Sequence, residues 1–314
     1  MKRELPDELK FLTNRNLPQK PFAKSMNGKI CVITGATSGV GLETARALAS
    51  HGAQLVLVSR SQEKADRIAR ELRSMWNIEV DSILADFSDL DQVRQAANTL
   101  LERYPRIDVL INCAGMHSTR KTHTPAGFET VFCVNHLASF LLTALLLDRM
   151  IASSPSRIIQ VNSEGHRFNG LDLGDLSWQK RHYTGLRSYG ASKTAQLLTV
   201  WEFADLLQDT GVTINAVHPG DVKTNIGNNN GWLYRIFTHY VTGLFLKDAV
   251  ISGPALGYLA SAPELAAVSG QFFHLTHEEK PAPHALDREM GQRVWVTSLQ
   301  LTGLPADFGK DLRG

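Results

Sequence analysis

The stretch KICVITGATSGVG, residues 29–41, joins an apolar run to a glycine-rich turn and decides the fold. Its first half is rich in β-branched residues, which favour a strand, and a helical pattern follows from about residue 40 to 51. Gly35, Gly39 and Gly41 permit a tight turn, so that amides at the helix N-terminus can bind a pyrophosphate. A glycine cluster alone is weak support, but the context of strand, turn and helix predicts a dinucleotide-binding unit.

The same alternation of short apolar runs with helical patterns continues along the chain. Six further runs favour strands: AQLVLVS, IEVDSILAD, RIDVLINCAG, SRIIQVNS, TINAVHPG and GQFFHL. Parallel strands that are covered on both faces have continuous apolar sequences of this kind. We therefore predict a single-domain α/β fold over residues 26–314, a Rossmann-type doubly wound sheet of about seven parallel strands, after an N-terminal extension of residues 1–25.

Composition excludes several classes of protein. Among 314 residues, 33 basic and 31 acidic side chains leave a net charge of +2 without a basic run, so no nucleic-acid partner is expected. The three cysteines are scattered, which favours buried thiols in a reducing, cytoplasmic compartment. Residues 1–25 contain no apolar core of a signal sequence, and the longest apolar run falls short of the ~20 residues that span a bilayer. We expect no transmembrane segment.

Residues 225–250, NIGNNNGWLYRIFTHYVTGLFLKDAV, interrupt the alternation of strands and helices. Three asparagines and a glycine indicate a flexible loop, and the apolar residues that follow recur at helical spacing. Three interpretations are open: an extra helix on the core, a mobile lid over an apolar substrate, or a contact with a membrane surface or a partner.

The stretch RSYGASK, residues 187–193, places Tyr189 and Lys193 four positions apart, where they share one face of a helix. A nearby ammonium favours the phenolate form of a tyrosine and so lowers its pKa. Ser163 ends the strand run SRIIQVNS at the carboxyl edge of the sheet, where open α/β sheets bind ligands. Asn135 opens the helical pattern VNHLASF, and its alternatives are a functional contact or a simple N-cap.

Several ordered motifs together resemble one family. TGATSGVG, NCAG at 112–115, Asn135, Ser163, YGASK at 189–193 and HPGDVKT at 218–224 follow the order and approximate intervals of the short-chain dehydrogenases/reductases. The resemblance covers residues 26–300. DLGDLSWQKRHYTGLRSYGASK and ALDREMGQRVWVTSLQLTGL are most similar to the branch of the retinol dehydrogenases and the WW-domain oxidoreductase.

The resemblance implies a nicotinamide cofactor. At the end of the second strand a carboxylate would favour NAD, but Ser59 and Arg60 stand there, and a guanidinium suits the 2′-phosphate of NADP(H). Asp86 and Phe87 are then expected at the adenine, and the segment from Asn112 at the ribose. The full set of expected cofactor contacts is Gly35, Thr37, Ser38, Gly39, Val40, Gly41, Ser59, Arg60, Asp86, Phe87, Asn112, Ala114, Gly115, Tyr189, Lys193, Pro219, Gly220, Val222 and Thr224.

The same resemblance implies roles for four catalytic residues. Tyr189 transfers a proton, Lys193 lowers its pKa and binds the nicotinamide ribose, and Ser163 hydrogen-bonds the substrate oxygen. Asn135 is expected to hold a water in a proton relay toward the lysine. We expect no metal site, because the spacing of His274 and His277 offers no third ligand.

These features predict an NADP(H)-dependent oxidoreductase that acts on an aldehyde, a ketone or an alcohol of an apolar substrate, such as a retinoid, a steroid, a lipid or a polyketide-like molecule. The alternatives are a C=C reductase that resembles light-dependent protochlorophyllide reductase, and a non-catalytic NADP-sensing interaction protein. The resemblance also implies a homodimer, because in the family the helices equivalent to those around 136–150 and 190–208 often pair across a dimer. Burial inside one subunit explains much of the same apolar pattern.

Overall fold

One sheet organises the part of the chain that the computed structural model describes, which is Asn14, residues 17–220 and residues 249–313. Its strands are β1 (Ile30–Thr34), β2 (Gln54–Ser59), β3 (Val80–Leu84), β4 (Val109–Asn112), β5 (Ser156–Val161), β6 (Val212–His218), β7 (Phe272–His274) and β8 (His277–Glu278). The seven predicted strands are all present and parallel. The additional β8 is a two-residue strand that pairs antiparallel with β7.

The order of the strands, β3-β2-β1-β4-β5-β6-β7-β8, shows where a ligand can bind. The chain begins in the middle of the sheet, builds outward to β3, and then crosses back to place β4 on the other side of β1. At such a reversal the connections leave β1 and β4 in opposite directions, which opens a crevice at the carboxyl ends of the strands. The predicted glycine-rich turn follows β1 and therefore lies at this crevice.

Seven helices of four or more residues with α-helical geometry lie in the described part of the chain. They are α1 (Gly39–Ser50), α2 (Gln62–Trp76), α3 (Leu90–Arg103), α4 (Thr130–Ala152), α5 (Gly185–Leu206), α6 (Ser252–Ser261) and α7 (Arg288–Thr302). Alternate side chains of β1 enter different cores: Val32 packs with α3, α4, α5 and α7, whereas Cys31 and Ile33 pack with α1, α2 and α6. Because both faces of the sheet are buried, the prediction of a doubly wound fold is confirmed.

Helix α4 begins earlier than the sequence predicts. The expected start was Asn135, but the helix starts at Thr130 and has a π-helical stretch, Cys133–Leu137, that contains Asn135. Within the described residues, α4 is the one helix that is long and apolar enough to cross a membrane, and 83% of its apolar window is buried. We interpret it as a core helix.

Aromatic packing joins α4, α5 and α7. The ring of Phe140 lies 5.4 Å from that of Phe203 and 5.2 Å from that of Trp295, and the last two are 4.8 Å apart, measured between centroids. Such tilted and edge-on arrangements suit the ring quadrupole. Because α7 packs on α5, burial within one chain accounts for many of the apolar residues at 136–150 and 190–208.

The described residues of the N-terminal extension lie against the body of the protein. The ring of Phe22 stacks on that of His51 at 3.7 Å, and His51 hydrogen-bonds the Phe22 carbonyl. His277 hydrogen-bonds the Pro18 carbonyl, so it is held by the extension. Residues 221–248 lie outside the described part of the chain, and with them nearly all of the predicted lid at 225–250.

Replacing Phe140 with alanine tests the aromatic packing. Phe140 is 1% exposed, so Phe140→Ala should lower the free energy of unfolding by about 3–5 kcal/mol, from lost apolar burial and the cavity that remains. Val296→Ala on α7 is the control, because Val296 is 52% exposed and its loss should change stability by less than about 0.5 kcal/mol. Urea unfolding measures both, and equal losses in the two variants would contradict this account.

Candidate active site

Four predicted catalytic residues come from three elements at the carboxyl edge of the sheet. Ser163 follows β5 and begins a short 3-10 helix, Glu164–Phe168, while Tyr189 and Lys193 lie on α5. Asn135 lies in the π-helical stretch of α4. Ser163 and Tyr189 lie on the same side of the short 3-10 helix, because a Cβ on Gly165 would be 3.3 Å from Oγ of Ser163 and 2.5 Å from Cε1 of Tyr189.

The environment of Tyr189 keeps its phenol protonated. Burial raises its pKa to about 12, and the nearby Ser163 hydroxyl, which lowers the pKa, does not compensate. The ring of His117 meets the Tyr189 ring edge-on at 5.7 Å, and burial lowers the pKa of His117, so this neighbour is neutral at pH 7. Tyr189 is therefore available as a proton donor at neutral pH.

Gly165 is a functional residue that the sequence analysis missed. A Cβ atom at this position would lie 2.5 Å from Cε1 of Tyr189, which is closer than carbon atoms approach in proteins. The absence of a side chain therefore lets the 3-10 helix lie directly against the phenol ring. The glycine in SEGHR, two residues after Ser163, is the only signal in the sequence, and it has no motif of its own.

Lys193 is buried, and its ammonium is held by two acceptors. Nζ donates to the Val161 carbonyl at 2.8 Å and to Oε1 of Gln196 at 3.3 Å. Burial lowers the pKa of Lys193 to about 8. Nζ lies 5.8 Å from the centroid of the Tyr189 ring. The predicted lowering of the phenol pKa by Lys193 is not seen, because burial dominates the pKa of Tyr189.

Asn135 positions the segment that follows β4. Its Oδ1 accepts from the Met116 amide at 2.7 Å, and its Nδ2 donates to the Met116 carbonyl at 3.0 Å and to the Ser192 hydroxyl at 2.9 Å. The N-cap alternative is wrong, because Asn135 lies inside α4. The water relay stays a prediction.

Asn162 links Ser163 to α5. Its Oδ1 accepts from the Ser163 amide at 2.8 Å, and its Nδ2 donates to the Lys193 carbonyl at 3.0 Å and to Oε1 of Gln196 at 2.9 Å. Both ends of this amide are therefore used in placing predicted catalytic residues. A buried polar residue directly before Ser163 was visible in the sequence, but its partners, about 30 positions away, were not.

The glycine-rich turn has the geometry of an anion-binding cradle. Gly35 has a φ of +69°, and a Cβ at Gly41 would lie 2.5 Å from the Gly35 carbonyl oxygen, so the turn closes on itself. The first turn of α1 contains no acidic residue, and the N-cap Ser38 makes no side-chain cap. The amides at the N-terminus of α1 are therefore available to bind a phosphate, and the turn fits a dinucleotide cofactor. Thr37, Gly39 and Val40 complete the turn.

The segment after β4 lies beside this turn. Oγ1 of Thr34 accepts from the amides of Cys113 and Ala114, both at 2.9 Å. Gly115 is exposed at the same edge. The side chain of Asn112 contacts α4 instead: it is buried, and its Nδ2 donates to the Thr143 hydroxyl at 2.9 Å.

The ends of β2 and β3 place the residues expected at the adenosine. Ser59 is buried, and its hydroxyl donates to the Ser61 carbonyl at 3.2 Å, whereas Arg60 is exposed and makes no ion pair with a described residue. After β3, Oδ1 of Asp86 accepts from the amide and the hydroxyl of Ser88, and the side chain of Phe87 is buried.

After β6, the Pro219 carbonyl accepts from the Ser252 hydroxyl at 2.7 Å, and Gly220 has a φ of +90°. This segment therefore turns toward α6 directly beside the carboxyl edge. Val222 and Thr224, also predicted to bind the cofactor, lie outside the described residues.

A cluster of charged and imidazole groups includes Glu164, the residue that follows Ser163. Glu164, His218 and His274 place possible ligand atoms within 4.8 Å of one another. Arg167 pairs with the carboxylate of Glu164 and, at 3.0 Å, with that of Glu279, so a guanidinium already supplies the positive charge that a metal ion would bring. We interpret the cluster as an ion-pair network. Burial opposes ionisation of Glu279, but hydrogen bonds, first from His274, outweigh it and lower its pKa.

Comparison with known proteins identifies relatives of this chain. Residues 29–231 match the family model for the short chain dehydrogenases. Human retinol dehydrogenase 13 is 39% identical over 291 residues, which cover 91% of this chain and 88% of that protein. Human retinol dehydrogenase 14 is 36% identical, with coverage of 89% and 88%.

Solved structures share the fold. An uncharacterized protein from Mycobacterium paratuberculosis is 30% identical and superimposes with a TM-score of 0.73, over 91% of this chain and 98% of its own. A short chain dehydrogenase from Shigella flexneri 2a, complexed with NADP, has a TM-score of 0.64 at 23% identity, with coverage of 80% and 98%.

Replacing Arg167 tests the ion-pair network. Arg167→Met would leave the carboxylates of Glu164 and Glu279 without their guanidinium, and we expect a loss of about 3 kcal/mol in the free energy of unfolding at pH 7. The guanidinium stabilises the ionised carboxylates and works against the burial that raises the pKa of Glu164. The loss should therefore be largest where both carboxylates are ionised, and it should shrink as pH falls through their folded pKa values.

Arg293→Met is the matched control, since Arg293 is exposed on α7 and makes no ion pair with a described residue. We expect it to change stability by less than about 0.5 kcal/mol. Urea unfolding at several pH values measures both variants. A loss for Arg167→Met that stayed constant between neutral and acid pH would show that the carboxylates are not involved.

Proposed function

The chain belongs to the short-chain dehydrogenase family, in its retinol dehydrogenase branch, and from this premise we propose that it transfers a hydride between NADP(H) and a carbonyl or alcohol group of an apolar substrate. The observation that carries the proposal is that the Ser163 hydroxyl and the protonated Tyr189 phenol lie together beside Gly165, at the sheet edge that also holds the glycine-rich turn. A hydroxyl pair of this kind can hold and protonate one carbonyl oxygen.

Reduction of a carbonyl needs a hydride on carbon and a proton on oxygen. The cofactor supplies the hydride when it is bound. Tyr189 donates the proton, and Ser163 hydrogen-bonds the same oxygen as negative charge develops on it. With its pKa raised to about 12, the phenol is in the required protonated form at pH 7. Oxidation of an alcohol needs the phenolate instead.

Lys193 stabilises the phenolate that forms when Tyr189 donates its proton. The ammonium lies one helical turn beyond the phenol on α5, with Nζ 5.8 Å from the ring centroid. A positive charge at this separation lowers the energy of the phenolate in a buried site. Its contribution therefore grows as the proton moves toward the substrate.

Arg60 supports NADP(H) over NAD(H). Its guanidinium is exposed at the end of β2, where a carboxylate would otherwise accept from the ribose hydroxyls of NAD. Because it makes no ion pair with a described residue, it is available to a phosphate. A guanidinium binds a phosphate through charge-assisted, often paired hydrogen bonds.

Apolar groups beside Tyr189 support an apolar substrate. Phe168 ends the 3-10 helix after Ser163 and is 55% exposed, and Leu186 on the first turn of α5 is 54% exposed. A Cβ on Gly190 would lie 3.2 Å from the Cβ of Phe168, so Phe168 packs against the residue that follows Tyr189. Exposed apolar side chains near reactive groups are typical of a substrate surface.

The homodimer and the cytoplasmic location stay predictions. Helix α5 is buried along most of its length, and α7 lies on it. A dimer in which α5 contacted a second copy would therefore have to use the few residues of α5 that remain exposed.

Replacing Tyr189 tests the reaction class. In a panel of aldehydes and ketones with NADPH, Tyr189→Phe should lower kcat by about 10²–10⁴-fold, because the proton donor is lost while the ring remains. NADPH binding, measured by fluorescence titration, should be nearly unchanged. Tyr183→Phe is the control, because its phenol donates to the Ser118 carbonyl and not to the site. Equal activity of wild type and Tyr189→Phe would refute the role of the phenol.

Replacing Arg60 tests the choice of cofactor. Arg60→Asp removes the guanidinium and adds a carboxylate, so the preference for NADPH over NADH in kcat/KM should fall by at least about 100-fold. Arg67→Asp on α2 changes the net charge equally at another exposed position and should leave the preference unchanged. An unaltered NADPH/NADH ratio in Arg60→Asp would mean that the 2′-phosphate is bound elsewhere.

A further inference from the structure

Gln196 lies at the centre of the buried polar groups that surround the catalytic lysine. It follows Lys193 by three positions on α5 and is 2% exposed. Its Oε1 accepts from Nζ of Lys193 at 3.3 Å and from Nδ2 of Asn162 at 2.9 Å. Its Nε2 donates to the Asn135 carbonyl at 3.1 Å and to Oε1 of Gln160 at 3.2 Å.

The partners at the two ends fix the orientation of this amide. An ammonium can only donate, so the Gln196 atom that faces Lys193 must be the carbonyl oxygen. A backbone carbonyl can only accept, so the atom that faces Asn135 must be the amide nitrogen. A carboxylate in the same place would turn an oxygen toward two acceptors, and an apolar side chain would leave these four partners, and the Ser139 hydroxyl at 3.4 Å from Nε2, without this bond.

We propose that Gln196 is a positioning residue that holds the Lys193 ammonium in place and couples it to Asn135 and, through Asn162, to Ser163. This inference rests on the proposed function, since it concerns the groups that would carry out the proton transfer. Gln196 itself touches neither the Tyr189 phenol nor any reacting atom in the described contacts.

The charge of Lys193 depends on this amide because the site offers few other acceptors. Within the described part of the chain, the hydrogen-bond acceptors of Nζ are the Val161 carbonyl and Gln196. The titratable groups that face Nζ are Tyr189, on its own helix, and the Cys113 thiol, after β4. Both are neutral at pH 7, because burial raises the pKa of each to about 12.

A buried ammonium without anionic neighbours is stabilised mainly by the dipoles that accept its protons. One of the two dipoles at Nζ belongs to the backbone and the other to Gln196. Burial has already lowered the pKa of Lys193 to about 8, so the loss of one acceptor should move the titration into the neutral range. The ammonium is present below this pKa and is lost as pH rises through it.

The test is a direct titration of Lys193 in the protein without cofactor or substrate. Protein labelled with 13C at lysine Cε gives a lysine resonance that follows protonation, and its assignment comes from its loss in Lys193→Arg. In Gln196→Met, which keeps the length but removes the acceptor, the titration midpoint of Lys193 should fall by about one pH unit.

Gln160→Met is the matched control. Gln160 is a second buried glutamine that contacts Nε2 of Gln196, and its two side-chain hydrogen bonds, to Thr143 and Gln196, do not reach Lys193. Its replacement should reduce stability but leave the Lys193 midpoint within about 0.3 pH units, well below the effect of one lost acceptor. If Gln196→Met does not fold, Gln196→Asn replaces it: the shorter amide should lower the midpoint in the same direction by less.

An unshifted midpoint in the folded Gln196 variant, or an equal shift in Gln160→Met, would overturn the proposal. The titration needs no turnover, so it remains decisive even if no substrate is found and the proposed function fails. Where a substrate is found, the alkaline limb of the kcat profile for reduction should move to lower pH in Gln196→Met, with KM for NADPH nearly unchanged. A limb that stayed in place while the Lys193 titration moved would refute the coupling to catalysis.

Discussion

The buried Lys193 ammonium is the constraint on which the arrangement of the site depends. A charge removed from water costs several kcal/mol unless hydrogen bonds replace its hydration. Here the replacement comes from the end of β5, through the Val161 carbonyl, and from α5 itself, through Gln196. The lysine therefore joins the central strand to the helix that carries Tyr189, and the requirement to satisfy one charge sets the distance between two catalytic elements.

The fold was predictable because its signals are local. Each strand is a short apolar run bounded by a turn, and parallel strands buried on both faces need no alternation of polar residues. The switch point between β1 and β4 follows from the right-handed crossovers that this order of elements requires. The start of α4 was missed because a π-helical stretch has no distinct sequence pattern, and Asn135 resembles an N-cap when its distant partner Met116 is unknown.

The sequence predicts the residues to which we assign the reaction, but it does not reveal the residues that hold them in place. Tyr189, Lys193 and Ser163 belong to motifs with characteristic spacing, and the structure brings them to one edge of the sheet. Gly165 and Gln196 belong to no such motif, and their importance rests on contacts that only the folded chain creates. The cluster around Arg167 was missed for the same reason, since its members come from three separate parts of the chain.

The polar residues of α5 also explain why this helix can be buried and still specify one geometry. Thr194 donates to the His166 carbonyl, Nζ of Lys193 to the Val161 carbonyl, and Nε2 of Gln196 to the Asn135 carbonyl, and all three acceptors lie outside α5. Unpaired, each such group would cost about 1–3 kcal/mol, so a shifted or rotated α5 would lose several hydrogen bonds at once. An apolar helix could slide along the sheet with a smaller change in energy. The polar network thus fixes the register of α5, and the positions of Tyr189 and Lys193 relative to Ser163 follow from that register.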